Sequence, residues 1–148
     1  MKRRTFLAAS LLTVSSAPLL AATPAPTVIR VYKDESCGCC EAWVSHLKDA
    51  GFKVDAQNVP DTAVYRRKSG IPDALASCHT GMVDGYALEG HVPAADIRRL
   101  LAARLPARGL AVPGMPAGSP GMESARKVPY DVLLVQLDGQ HTVYRHYN

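Results

Sequence analysis

Three of the chain's four cysteines fall within Ser36-Cys37-Gly38-Cys39-Cys40-Glu41, and the fourth, Cys78, stands alone further on. This clustering argues against an ordinary disulfide framework. Adjacent cysteines such as Cys39 and Cys40 cannot both pair locally without strain, and structural bridges contribute most when they close long, separate loops. The stretch is therefore a thiolate site. Two spacings coexist in it: Cys37 and Cys40 form a C-x-x-C pair suited to a reversible disulfide, while Cys37-Gly38-Cys39 is a C-x-C chelate. Zinc prefers a closed tetrahedron built from two separated knuckles, which three ligands on one tetrapeptide reach awkwardly. Cu(I) is softer and suits crowded sulfur ligands. Spacing alone leaves copper binding, dithiol redox chemistry, and zinc or plain disulfides open.

The N-terminus is set apart from the fold. Lys2-Arg3-Arg4 precedes an uncharged apolar run from Phe6 to Leu20, with small residues at Ala21 and Ala22, which is the pattern of a secretory signal peptide over residues 1–22. Arg3-Arg4-Thr5-Phe6-Leu7 also resembles a twin-arginine signal, the alternative being the ordinary export route. The run is too short and too interrupted, by Ser10, Thr13, Ser15, Ser16 and Pro18, for a retained membrane anchor. Removing the leader deletes three basic and no acidic residues, so the net charge falls from +4 to +1. The basicity thus belongs to the leader and implies no nucleic-acid partner. Arg66-Arg67-Lys68 reads as a solvated helix face.

Residues 23–148 fit one domain with its own core. Val28-Ile29-Arg30-Val31-Tyr32 reads as a buried strand running into the cysteine loop. A helix from about Cys39 follows, with Trp43, Leu47 and Ala50 at helical spacing and Gly51 as its stop. Phe52, Val54 and Ala56 alternate with polar residues, predicting a half-buried strand to Val59-Pro60, and Asp61 can cap a short helix towards Gly70. Cys78–Val83, the tight turn Asp84-Gly85 and Tyr86-Ala87-Leu88 form a hairpin. After Pro93, Ile97, Leu100, Leu101 and Leu105 line a helix that Pro106 ends. Residues 106–129 hold five prolines and four glycines, yet Leu110-Ala111-Val112, Met115 and Met122 make the stretch too apolar for a free linker, so it reads as a loop packed over the domain. Tyr130–Leu137 and His141–Tyr147 form a second hairpin. The order strand, helix, strand, helix, hairpin, helix is that of an α/β, thioredoxin-like domain. A rival threading uses the last hairpin for its third and fourth strands. In the preferred one, the segment entering the third strand passes the thiol loop and brings Cys78 to it.

Other candidate donors lie near these elements. His79 adjoins Cys78 and His91 follows Glu89-Gly90; either imidazole could complete or orient a coordination sphere. Met115 and Met122 sit where proline and glycine fix the backbone, and are read either as thioether ligands or as apolar plugs. His46, His141 and His146 carry no spacing argument, and Met82 reads as core. No Ser-His-Asp set, phosphate loop or carboxylate pair supports a hydrolase.

Four blocks in order carry a resemblance: Cys37-Gly38-Cys39-Cys40 with Trp43; Ser77-Cys78-His79-Thr80; Glu89-Gly90-His91-Val92-Pro93-Ala94; and Gly109–Pro116 with Gly118–Glu123. Together they resemble the exported CopG-type copper-resistance proteins, long described as a domain of unknown function. The resemblance implies a thioredoxin-like fold in the bacterial periplasm, a cysteine-bridged copper site, a part in copper redox conversion, and other periplasmic copper-handling proteins as partners. Its implied ligands are Cys37, Cys39, Cys40 and Cys78, with His79, Met115 and Met122 as terminal ligands. Where thioredoxins carry a cis-proline this chain has Cys78-His79, a departure that favours metal binding over disulfide exchange.

Overall fold

The computed structural model describes residues 27–148; the expected leader, residues 1–22, lies outside them. The chain runs β1 (Val28–Lys33), α1 (Gly38–Asp49), β2 (Lys53–Asn58), α2 (Ala63–Lys68), a short 3-10 helix (Asp73–Leu75), β3 (His79–Val83), β4 (Tyr86–Gly90), α3 (Ala94–Ala103), β5 (Ala107–Val112), β6 (Tyr130–Gln136) and β7 (His141–Tyr147). One mixed seven-stranded sheet in the order β2-β1-β3-β4-β5-β6-β7 organises them. No helix among the described residues is long and apolar enough to cross a membrane.

The expected order of strand, helix, strand, helix, hairpin, helix is present. Its first strand alternates rather than being buried throughout: Ile29, Val31 and Lys33 are buried while Val28 and Arg30 are exposed. Ile29 and Val31 share a core with Trp43, Val44 and Leu47 of α1 and with Ile97 and Leu100 of α3, so these two helices cover one face. On the other face Tyr65 of α2 stacks on Tyr32, with ring centroids 3.7 Å apart, and a smaller cluster gathers Ile71, Leu75, Ala87, Ala111 and Val135. Strand β2 is the sheet edge and only Val54 is partly buried, so the half-buried alternation is weaker than expected. Arg66 also departs from the solvated face expected of it. It is buried, and its Nη2 donates to Asp73 Oδ1 at 2.7 Å.

The main correction concerns residues 106–129. Their first part is not loop but β5, lying parallel to β4 with Ala87 opposite Gly109 and Gly90 opposite Val112, and antiparallel to β6. The C-terminal hairpin therefore extends the same sheet. Glycine and alanine hid this strand from a propensity argument, and the structure shows why the glycine is needed. A Cβ on Gly109 would stand 1.8 Å from the Ala87 carbonyl oxygen. The hairpin Asp84-Gly85 is as expected, both residues having the positive φ (47° and 86°) that a two-residue turn matched to strand twist requires. Helix α3 ends at Ala103 with Arg104 in the left-handed region, short of Pro106.

The tightness of the β4–β5 seam is testable. Gly109→Ala should cost about 3 kcal/mol, because the methyl meets backbone that cannot rotate away. Urea unfolding would measure it, and a loss below about 0.5 kcal/mol would show that the strands separate easily.

Candidate metal centre

Antiparallel pairing sets Lys33, the last residue of β1, opposite His79, the first of β3. The loop leaving β1 and the segment entering β3 thus meet at one end of the sheet, and each carries cysteine. Cys37 is the extended residue before α1, and Cys39 and Cys40 lie in its first turn, where backbone N–H groups lack intrahelical partners and the helix dipole is positive.

Cys37 and Cys40 are joined as a disulfide, while Cys39 and Cys78 are free. Cys39 Sγ lies 3.6 Å from Cys37 Sγ and 3.8 Å from Cys78 Sγ. All four sulfurs fall within 4.8 Å of one another. The lone cysteine therefore joins the trio, as the threading required. A second group shares Cys78: its sulfur is 3.3 Å from His79 Nδ1 and 3.5 Å from His91 Nε2. Met115 Sδ lies 4.0 Å from Cys39 Sγ. Met122 makes no comparable sulfur contact among the described residues. Its backbone instead closes the loop, with Met122 N–H donating to Ser119 O and Met122 O accepting from Gly118 N–H.

The protonation states follow from the partners. His79 Nε2 is 3.0 Å from the Gly90 carbonyl, which can only accept, so Nε2 carries the proton and Nδ1 offers its lone pair to Cys78. Burial, helped by neighbouring His91, pushes the His79 pKa down to about 3, so the ring is neutral. Burial also lowers His91, against an opposing effect of the Pro120 backbone, and its buried Nδ1 has no hydrogen-bond partner among the described residues. The Cys78 thiol is pushed up to about 12, first by burial and then by Cys39. The neutral His79 imidazole has a lone pair to offer a metal ion directly, whereas the Cys78 thiol has to give up its proton first. His46, by contrast, has a structural task, its Nε2 accepting from the Ala94 N–H at the start of α3.

Two buried charges brace the cysteine segments, and sequence reasoning missed both. Lys33, 2% exposed, donates from Nζ to the Asp34 carbonyl, to Asn58 Oδ1 at 2.9 Å and to Glu41 Oε1 at 2.6 Å. It ties the ends of β1 and β2 to the first turn of α1. Its place in the Ile29, Val31, Lys33 alternation was the available signal. Glu89, 1% exposed, accepts from Ser77 N–H and Ser77 Oγ, both at 2.8 Å, and from Thr80 Oγ1 at 2.7 Å. It brackets Cys78-His79. His91 was weighed in the sequence but left out of the implied ligands; it lies almost as close to Cys78 as His79 does.

Beyond β5, residues 113–129 cross the start of α1. A Cβ on Gly121, at φ 86°, would come within 2.7 Å of Trp43 N and 2.8 Å of Cys39 O. Met115 itself takes the left-handed region at φ 47°. For a residue other than glycine this costs about 1–2 kcal/mol and marks a conformation held by its surroundings.

A mixed α/β domain that gathers four sulfurs with two imidazoles is a cysteine-cluster protein able to hold a metal ion. A family model described as "Protein of unknown function, DUF411" matches residues 75–122, a span holding Cys78, both histidines and both loop methionines. The solved structure "Copper resistance protein copG- Form 2" is 45% identical, covers 84% of this chain and 100% of its own, and superposes with a TM-score of 0.80. "Copper resistance protein copG- Form 1" is 45% identical, covering 83% and 98%, with a TM-score of 0.79. No curated protein matches. The chain belongs to the CopG family of copper-resistance proteins.

The strap's seating on α1 can be tested with Gly121→Ala. Strain of about 1.4 kcal/mol would raise protease cleavage within 113–129 tenfold, while hydrogen exchange in the core strands stays unchanged. Unaltered cleavage would show that the strap does not depend on that close approach.

Proposed function

We propose that this chain is an exported, periplasmic protein that holds Cu(I) in its multi-cysteine site and takes part in copper resistance. The observation that carries this is the convergence of Cys78 on Cys39, at 3.8 Å, with Cys37 and Cys40 alongside. Four crowded sulfurs, a thioether and neutral imidazoles are soft-to-borderline donors that match Cu(I) and discriminate against hard cations. Once an external thiol had reduced the Cys37–Cys40 disulfide, all four sulfurs would be free to give up their protons and hold Cu(I), with His79, His91 and Met115 beside them as further donors. The element order supports a thioredoxin-like frame, and the leader supports the periplasm. Interconversion of Cu(I) and Cu(II) at the same site belongs to this reading.

The second reading is thiol-disulfide exchange, favoured by the closed Cys37–Cys40 pair. One of these cysteines would attack a substrate disulfide and the other resolve the mixed intermediate.

Anaerobic reconstitution of the reduced mature protein separates the two. The copper reading expects more than one Cu(I) per chain by metal analysis, with most of it lost in Cys78→Ser. A protein that takes up no copper yet reduces insulin through Cys37 and Cys40 would replace it with the second reading.

Met115 supplies an independent check. Met115→Leu should weaken Cu(I) binding about tenfold with little change in folding, since the thioether is lost and the backbone strain kept. Met115→Gly should weaken binding as much while raising stability by up to about 1 kcal/mol, because the left-handed strain is released. Equal affinities across the three proteins would make Met115 a loop plug.

A further inference from the structure

With Cys37 and Cys40 joined, the two remaining thiols are each other's neighbours. Cys39 and Cys78 come from separate elements, and their sulfurs touch at 3.8 Å. The alternatives are closed: Cys39 is next to Cys40, a pairing that strains the backbone, and Cys37 is already engaged. The backbones carrying them are braced independently, by Lys33 against Glu41 beneath α1 and by Glu89 against Ser77 beside Cys78. Rotation of the two side chains is the motion that would close this contact to a bond of about 2.05 Å.

We propose that Cys39 and Cys78 form a second redox-active pair, so that the fully reduced chain gives up four electrons in two disulfide steps. In the second step the two thiols form the Cys39–Cys78 bond, two protons pass to solvent, and two electrons pass to a one-electron oxidant such as Cu(II), yielding two Cu(I). The first step does the same at Cys37 and Cys40. After one step the site keeps Cys39, Cys78, the histidines and Met115 as donors. After two it has no thiolate, only His79, His91 and Met115. Copper capacity should therefore fall in two stages as the thiols are oxidised. The part concerning copper rests on the function proposed above; the second disulfide does not.

The full mature chain is reduced, exposed to graded diamide without metal, quenched with N-ethylmaleimide and weighed by mass spectrometry. The expected course is four labels, then two, then none, with peptide mapping that finds Cys37–Cys40 and Cys39–Cys78. Two labels persisting on Cys39 and Cys78 under excess diamide would overturn the proposal. The double variant Cys37→Ser/Cys40→Ser keeps only the second pair and should still lose both labels; retention of both in a folded variant would also overturn it. Titration with Cu(II), read as Cu(I) with bathocuproine disulfonate, should give four Cu(I) per wild-type chain and two for the double variant. A chain that forms both disulfides with diamide but binds no Cu(I) when reduced keeps this inference and loses the copper reading. One that binds Cu(I) but closes a single disulfide does the reverse.

Discussion

Antiparallel pairing of β1 with β3, in the register that sets Lys33 opposite His79, is the constraint from which the site follows. Side chains in a sheet alternate, so slipping this register by one residue would turn His79 and its neighbours to the other face. The register is specified by burial. Ile29 and Val31 enter the α1 side of the core, and Gly81, opposite Val31, leaves room for Trp43, whose ring would lie 3.3 Å from any Cβ placed there. Once these contacts are made, the β1–α1 loop and the entry to β3 have no choice but to meet. Two stretches of sequence that share no local contact become one cluster of sulfur.

The charged anchors beside that cluster are better understood as fixing geometry than as adding stability. Burying an ion costs several kcal/mol, while each hydrogen bond to a charged group returns about 1.5–3 kcal/mol. Lys33, with three acceptors for its three protons, and Glu89, with three donors, come out close to balance. What they secure is position. Loosely held thiols would lose conformational freedom on each binding event; these have largely lost it on folding. The imidazoles follow the same logic, for His79 is locked in one tautomer by the Gly90 carbonyl and kept neutral by burial.

Much of this was legible in the chain itself. The clustered cysteines announced a thiol site, helical spacing of Trp43 and Leu47 placed it at a helix start, and the Asp84-Gly85 turn fixed the hairpin that returns Cys78 to it. What stayed hidden was hidden for physical reasons. Strand β5 carries Gly109 because the Ala87 backbone comes too close for any side chain, and with alanine at 107 and 111 its composition reads as loop. Lys33 and Arg66 look like surface cations until partners outside their own elements, Asn58 and Asp73, are brought to them. The proximity of His91 to Cys78 depends on where β4 ends, which no local pattern states. Among the loop methionines, spacing could not separate Met115, whose sulfur reaches Cys39, from Met122, which closes the strap through its backbone.

Trp43 is the chain's single tryptophan, and it is fully buried with its ring 4.3 Å from that of His79 and its Nε1 bonded to the Val92 carbonyl. A rigid indole held this close to the His79 imidazole emits from beside the site, with no second tryptophan to dilute the signal. Light absorbed there is quenched or shifted by whatever the neighbouring groups are doing, so the molecule carries its own optical gauge. Any change in the charge or contacts of the His79 ring can thus be followed in the unlabelled protein through that one fluorophore.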